Sequence, residues 1–192
     1  MSMLPETFDF NEKSGLCLQR EPMRRHLRSM INMFYDRDAY DLLLKDNPLI
    51  YEFYDMDLPK KSSDLAFGTS ICHPGKVGDE YYMTKGHFHQ IEDTAEVYYC
   101  LSGHGLMMME TKEGEWTVKE MKPGRVVYVP GKWAHRSINI GNEPFVTFFT
   151  FRADAGHDYK TIEQSSFRKC VVERNGSYCL IDNPKWQASP KE

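Results

Sequence analysis

Four residues of this chain could hold a metal ion between them. His87 and His89 stand in Gly86-His87-Phe88-His89, Glu96 follows seven residues after His89, and His135 lies in Trp133-Ala134-His135-Arg136. Side chains two apart on an extended backbone share a face. The first two imidazoles therefore point together if Tyr81-Tyr82-Met83-Thr84 runs as a strand into them. Ala95-Glu96-Val97-Tyr98-Tyr99-Cys100-Leu101 reads as the next strand, and a hairpin-like return brings Glu96 beside the pair. His135 offers a fourth donor from a later strand. Three neutral imidazoles and one carboxylate suit a divalent first-row ion and leave coordination positions for a substrate.

The elements that must position these donors are mostly strands. From Asp64 to Phe151 the chain is a series of short β-type runs divided by glycine-containing turns at 74–79, 103–105, 113–115, 123–125 and 141–144. No long helical pattern intervenes, so the rhythm predicts an all-β antiparallel sandwich or jelly roll. Asp36 to Lys45 reads as a helix capped by Asp36, with Tyr40, Leu43 and Leu44 as its apolar stripe. A brief helix is expected from Asp158 to Gln164, ahead of a hairpin turning at Asn175-Gly176. Gly15-Leu16-Cys17-Leu18 is a candidate N-terminal strand, and the basic run Arg24-Arg25-His26-Leu27-Arg28 reads as a solvated or interface segment. The division expected is an extension over residues 1–50, a barrel over 51–186 and a dispensable tail over 187–192.

The global balance narrows the function. A length of 192 residues is one domain's worth, and a net charge of −4 gives no reason to expect nucleic acid or an anionic membrane as partner. No apolar run approaches the roughly 18 residues a spanning helix needs. Met1-Ser2-Met3-Leu4-Pro5-Glu6 lacks the basic and apolar regions of a signal peptide, so a cytoplasmic protein is expected. The five cysteines form no CxxC pair. Across the expected hairpin, Cys170 faces Ile181 and Cys179 faces Val172. That leaves the two sulfurs' residues diagonal, about 7–8 Å apart and beyond comfortable disulfide reach. Leu16-Cys17-Leu18 and Met30-Ile31-Asn32-Met33-Phe34-Tyr35 have no evident internal partner. A homodimer using the N-terminal strand is the corresponding expectation.

Gly86-His87-x-His89-x6-Glu96-x6-Gly103 resembles the first signature motif of the cupins, and Gly124-x5-Pro130-x4-His135-x3-Asn139 resembles the second. The closer resemblance is to the cupin-type phosphoglucose isomerases. It runs from Tyr51-Glu52 through both motifs to Asn139-Ile140-Gly141, Ala153-Asp154-Ala155-Gly156-His157-Asp158-Tyr159 and Asp182-Asn183-Pro184-x-Trp186. The resemblance implies a single cupin barrel. It also implies one divalent metal per subunit on His87, His89, Glu96 and His135, with iron(II) favoured and nickel, manganese or zinc able to fill the same shell.

The activity implied is interconversion of glucose 6-phosphate and fructose 6-phosphate, a step shared by glycolysis and gluconeogenesis. In the isomerases resembled, the phosphate is held at positions that map to Tyr51, Ser70, Thr84, Gly86 and Tyr159. Gly86, having no Cβ, lets a ligand approach the backbone, and Tyr98 lies on the face of Glu96. Phe151-Arg152 stands where the family has tyrosine and proline, and Lys132 replaces an aromatic or proline. Either cation, Arg152 or Lys132, could take over a phosphate contact. Two chemical routes are open: a proton transfer through a cis-enediol with Glu96 as base, or a metal-assisted hydride shift. His157 is a candidate for ring opening or substrate binding. The rival readings are a cupin dioxygenase or decarboxylase on the same shell, and a non-catalytic sugar-binding cupin.

Overall fold

The computed structural model describes residues 5–187. In chain order, β1 (Met23–His26) leads through a 3-10 turn at Leu27–Met30 to α1 (Arg37–Leu43), β2 (Leu49–Asp55) and β3 (Leu65–Cys72). The short strands β4 (Lys76–Val77) and β5 (Glu80–Tyr81) follow, then β6 (Glu96–Ser102), β7 (Gly105–Thr111), β8 (Trp116–Met121) and β9 (Val126–Val129). β10 (Trp133–Asn139), β11 (Phe145–Arg152), α2 (Tyr159–Ser165), β12 (Lys169–Arg174) and β13 (Ser177–Asp182) complete the order.

Three antiparallel sheets result, in the orders β1-β2-β3-β11-β6-β9, β10-β7-β8 and β13-β12-β5-β4. β6 and β7 are joined by a two-residue turn yet belong to different sheets, as do β9 and β10. That repeated switching closes the jelly roll of the cupin class. Period-two patterning fixes which residues line the interior: β11 buries Phe149 and Phe151 inside, while Phe148 packs outside against Phe10 and Phe67. The inner layer is rich in methionine, with Met107, Met108, Met109 and Met121 at 3% exposure or less. Flexible thioethers fill the irregular space between curved sheets.

Local signals were sound where they were local. Asp36 accepts a hydrogen bond from the Ala39 N–H and caps α1, and Asp158 accepts from the Thr161 N–H and caps α2. Asn175 and Gly176 both have positive φ, as a type I′ turn requires, and they set Cys170 opposite Ile181 and Val172 opposite Cys179. All five cysteines are free thiols.

The N-terminal region departs from expectation. Gly15 to Leu18 forms no strand, only an isolated bridge between Phe10 and Cys17. The Thr69 hydroxyl donates to the Gly15 carbonyl at 2.5 Å and pins the segment across the outer sheet face. The N-terminal strand is instead the basic run, Met23–His26, which hydrogen-bonds β2 at the sheet edge. Met30, Met33 and Phe34, expected to lack partners, are buried in the core. Their apolar surface is satisfied within the chain, so they give no ground for an interface. The end of the tail, residues 188–192, and Met1 to Leu4 lie outside the described residues. No helix among the described residues is long and apolar enough to cross a membrane.

Candidate functional site

His135 lies in the middle of β10, and His87 pairs with it through an isolated antiparallel bridge. The segment from Tyr82 to His89 is not the continuous strand expected. It is held to β10 by single bridges, Met83 to Ile138 and His87 to His135, because Gly86 takes a φ of +77° and interrupts the ladder. A Cβ at Gly86 would stand 2.6 Å from Phe167 Cε2. The glycine is therefore required by its backbone and by the Phe167 ring behind it, and it also lines the cleft beside the donors.

Glu96 also arrives differently. It opens β6, which pairs with β11 and β9 in the six-stranded sheet, so it meets the histidines across the barrel and not through a hairpin. Its Oε2 stands 2.9 Å from His135 Nε2, 3.1 Å from His89 Nε2 and 3.9 Å from His87 Nε2. One ligand atom from each of the four residues lies within 4.8 Å of the others, and all four residues are buried.

The donor chemistry fits a divalent ion. Nε2 of His87 is buried without a hydrogen-bond partner, and Nε2 of His135 makes no hydrogen bond although it faces the Glu96 carboxylate at 2.9 Å, a costly state for ring nitrogens unless something binds them. The other ring nitrogens fix the tautomers. His135 Nδ1 faces the Trp133 carbonyl at 3.3 Å, and His89 Nδ1 faces the Thr94 carbonyl at 3.0 Å and the Thr94 hydroxyl at 2.7 Å. Carbonyls only accept, so the proton sits on Nδ1 and Nε2 keeps its lone pair. Burial, then the neighbouring imidazoles of His135 and His157, push the His87 pKa well below its usual value, which keeps its ring neutral. Burial raises Glu96, but the surrounding imidazoles outweigh it and hold the carboxyl well below the usual carboxylate range.

Two of the donors, His87 and His135, line a cleft of ≈ 560 Å³, counting the space open to solvent. Tyr51, Ser70, Thr84, Gly86, Tyr98, His157 and Tyr159, all named from the sequence, line it. The Thr84 hydroxyl accepts the Ser137 N–H at 3.0 Å, which leaves its proton to donate into the cleft. His157 stacks on Tyr159 with ring centres 5.7 Å apart and meets the His87 ring edge-on at 4.4 Å. Burial raises the Tyr98 phenol well above its usual value, and the Glu96 carboxylate beside it adds to the effect.

Arg152 and Lys132 are placed elsewhere. Strand alternation turns Arg152 away from Phe151, and its guanidinium binds Asp154 at 2.5 Å outside the cleft lining. Lys132 is an exposed residue at φ +69°, 3.7 Å from Asp93. Asn139, the last residue of the second motif, is a structural clip: its amide donates to the carbonyls of Cys72 and Glu143, both at 2.8 Å.

Several cleft residues escaped the sequence reading. Phe53 and Asp55 follow Tyr51 on its own face of β2, and Ser137 follows His135 on β10. Period two from a named residue would have found each of them. Thr94 lies in a loop and carried no such signal.

Comparison with known proteins agrees with this geometry. The family model described as glucose-6-phosphate isomerase (GPI) matches residues 24–187. A glucose-6-phosphate isomerase of Thermococcus kodakarensis is 44% identical over 183 residues, covering 95% of this chain and 97% of that protein. One of Pyrococcus furiosus is 48% identical, covering 85% and 87%, and one of Sinorhizobium medicae is 36% identical, covering 85% and 78%. Among solved structures, an oxalate oxidase in complex with the substrate analogue glycolate superposes with a TM-score of 0.50. It is 11% identical over 61% of this chain and 58% of that one, a likeness of fold alone.

Proposed function

The chain belongs to the glucose-6-phosphate isomerase family, and from that premise we propose that it interconverts glucose 6-phosphate and fructose 6-phosphate. The observation that carries this reading is the convergence of three imidazoles and a carboxylate, two of whose histidines, His87 and His135, line a cleft walled by hydroxyl donors. The substrate class is a sugar phosphate. A divalent metal held by His87, His89, Glu96 and His135 would polarise the two oxygens that exchange protons, as a Lewis acid does.

The protein's own groups carry the rest. Glu96 is ionised and clusters with His87 and His135, which line the cleft, so it is the base we assign to the proton moved between C2 and C1. Tyr98 donates to the carboxylate from the same strand face. His157, neutral and at the mouth of the donor cluster, is positioned to assist ring opening or to hold a sugar oxygen. Tyr51, Ser70, Thr84 and Tyr159 supply neutral donors for a phosphate, an arrangement that serves as well as lysines where several converge. Phe149 and Phe151 exclude water from one wall.

Iron(II) is the metal we assign from the resemblance, since the donor set accepts several first-row ions. A cytoplasmic homodimer is also proposed. Its support comes from the outer face of β6 and β9, where Tyr99, Val126 and Tyr128 stand 39%, 60% and 62% exposed side by side. Light scattering at micromolar concentration tests it.

A dioxygenase or decarboxylase reading is not favoured, because the likeness to oxalate oxidase is one of fold and the cleft walls offer hydroxyls. A coupled assay of fructose 6-phosphate conversion, run with and without chelator, tests the main reading. Turnover lost with chelator and restored by metal is expected. No conversion by the metal-loaded protein would sink it.

A further inference from the structure

A sugar phosphate brings a dianion into the cleft, yet no lysine or arginine is among the residues that line it, and Asp55 adds a negative charge. The nearby cations are mostly committed. Lys85 pairs with Glu163 at 2.5 Å and Arg152 with Asp154 at 2.5 Å. Arg136 is buried, bonding the Lys85 carbonyl at 2.7 Å and lying 4.0 Å over the Phe167 ring.

Arg25 is the exception. It sits directly across from Tyr51 in the β1–β2 pair, and residues opposite one another in an antiparallel pair project from the same face. Tyr51 and Phe53 line the cleft, so Arg25 stands on the cleft face at its edge. Its guanidinium carbon lies 5.9 Å from the centre of the Phe53 ring. It also reaches the Tyr51 hydroxyl, and its charge works against burial at both Tyr51 and Tyr159. Its other hydrogen bond is a long one, 3.5 Å to the Arg24 carbonyl. Among the described residues no carboxylate pairs with it, whereas its neighbour Arg24, on the opposite face, binds Glu52 at 3.2 Å. Asp55 lies four residues along β2, about 13 Å away at ~3.3 Å per residue. The cleft thus has a cationic end at Tyr51 and an anionic end at Asp55.

We propose that Arg25 determines specificity for phosphorylated sugars, its guanidinium closing the Tyr51 end of the cleft over the substrate phosphate. The inference rests on the isomerase reading and names the charge partner that the hydroxyl-lined cleft lacks. A guanidinium is suited to this task because its fork of donors matches a phosphate.

Steady-state kinetics with fructose 6-phosphate and calorimetry with inorganic phosphate test it on the metal-loaded protein. Arg25→Met should raise KM on the order of 10- to 100-fold, the range for losing a charge-assisted hydrogen bond, with kcat falling less. Phosphate affinity should weaken by a similar factor, and Arg25→Lys should recover part of both. Arg24→Met, which removes a neighbouring charge from the other face, should leave both near the wild-type values. Should Arg25→Met fail to fold, Arg25→Gln carries the same reading with a polar side chain retained over Phe53. Unchanged KM and phosphate affinity in the Arg25 variants would overturn the assignment, as would an equal effect in Arg24→Met. A wild-type protein that does not convert fructose 6-phosphate would remove the isomerase reading, and the phosphate calorimetry would still decide for or against Arg25.

Discussion

The hydroxyl of Thr94 lies 2.7 Å from Nδ1 of His89 and 2.7 Å from the Ile91 carbonyl. A carbonyl accepts only, so the hydroxyl spends its one proton on Ile91 and must accept the Nδ1 proton of His89. Thr94, buried in a loop two residues before Glu96, thereby turns the Nε2 lone pair of His89 toward the other donors. Replacing it with valine keeps the shape and removes the acceptor. Thr94→Val should lower metal affinity roughly 10-fold, toward the lower end of such effects, because the Thr94 carbonyl at 3.0 Å retains part of the restraint. Chelator competition measures it, and an unchanged affinity would leave orientation to that carbonyl alone.

His89→Ala removes a donor outright. Metal content and turnover should fall together in this variant, with the fold preserved because the loop carbonyl and hydroxyl can take water in place of the ring. Elemental analysis showing stoichiometric metal would take His89 out of the ligand set.

Glu96→Gln separates holding a metal from moving a proton. The amide keeps the size and an oxygen donor but cannot act as base, and loss of a positioned base costs on the order of 10²–10⁴ in rate. The variant should bind fructose 6-phosphate and part of the metal while turning over very slowly. Near-normal rates with metal restored would remove Glu96 from the base role. Solvent deuterium appearing at C2 in the native reaction would be the positive sign of proton transfer.

Gly86→Ala tests the backbone. The substitution strains a residue at φ +77° and drives its methyl toward Phe167 Cε2, 2.6 Å from the ideal Cβ. A stability loss of about 1–3 kcal/mol is expected by urea unfolding. Adding Phe167→Leu should relieve only the packing share, so full recovery in the double variant would show that the φ carries no cost.

Two buried carboxylates outside the site predict a pH dependence of stability. Burial pushes Glu80 up to about 7 against the Tyr35 N–H, Arg136 and Lys185, and pushes Glu110 up to about 7 against the Arg168 N–H and Arg136. Both folded values exceed the usual 4.5, so the folded state binds these protons more tightly than the unfolded chain. Their stabilisation is complete below the unfolded pKa and is lost as pH rises through the folded one. Each of the two carboxylates should therefore cost metal-free protein on the order of 3 kcal/mol across that window. Glu80→Gln with Glu110→Gln should flatten the change, measured by urea unfolding at both ends. An undiminished pH dependence in the double variant would place its origin in other groups.

The donors His87, His89, Glu96 and His135 were legible from the sequence because residue type and motif spacing are local facts. So were the Asp36 and Asp158 caps and the Asn175-Gly176 turn, each closed within a few residues. Period two then told which residues share a face with Tyr51, Glu96 or His135. It could not tell which sheet that face would meet. Closing the barrel decided that Glu96 reaches the histidines from the six-stranded sheet, and that Gly86 yields to Phe167 from near α2. The same closure buried Met30, Met33 and Phe34 in the core and made the basic run Met23–His26 an edge strand. Pairing of β1 with β2 set Arg25 across from Tyr51, 26 residues apart in the chain. Such contacts depend on strand register between distant segments, which hydrophobic closure of the whole sheet selects and no short pattern encodes.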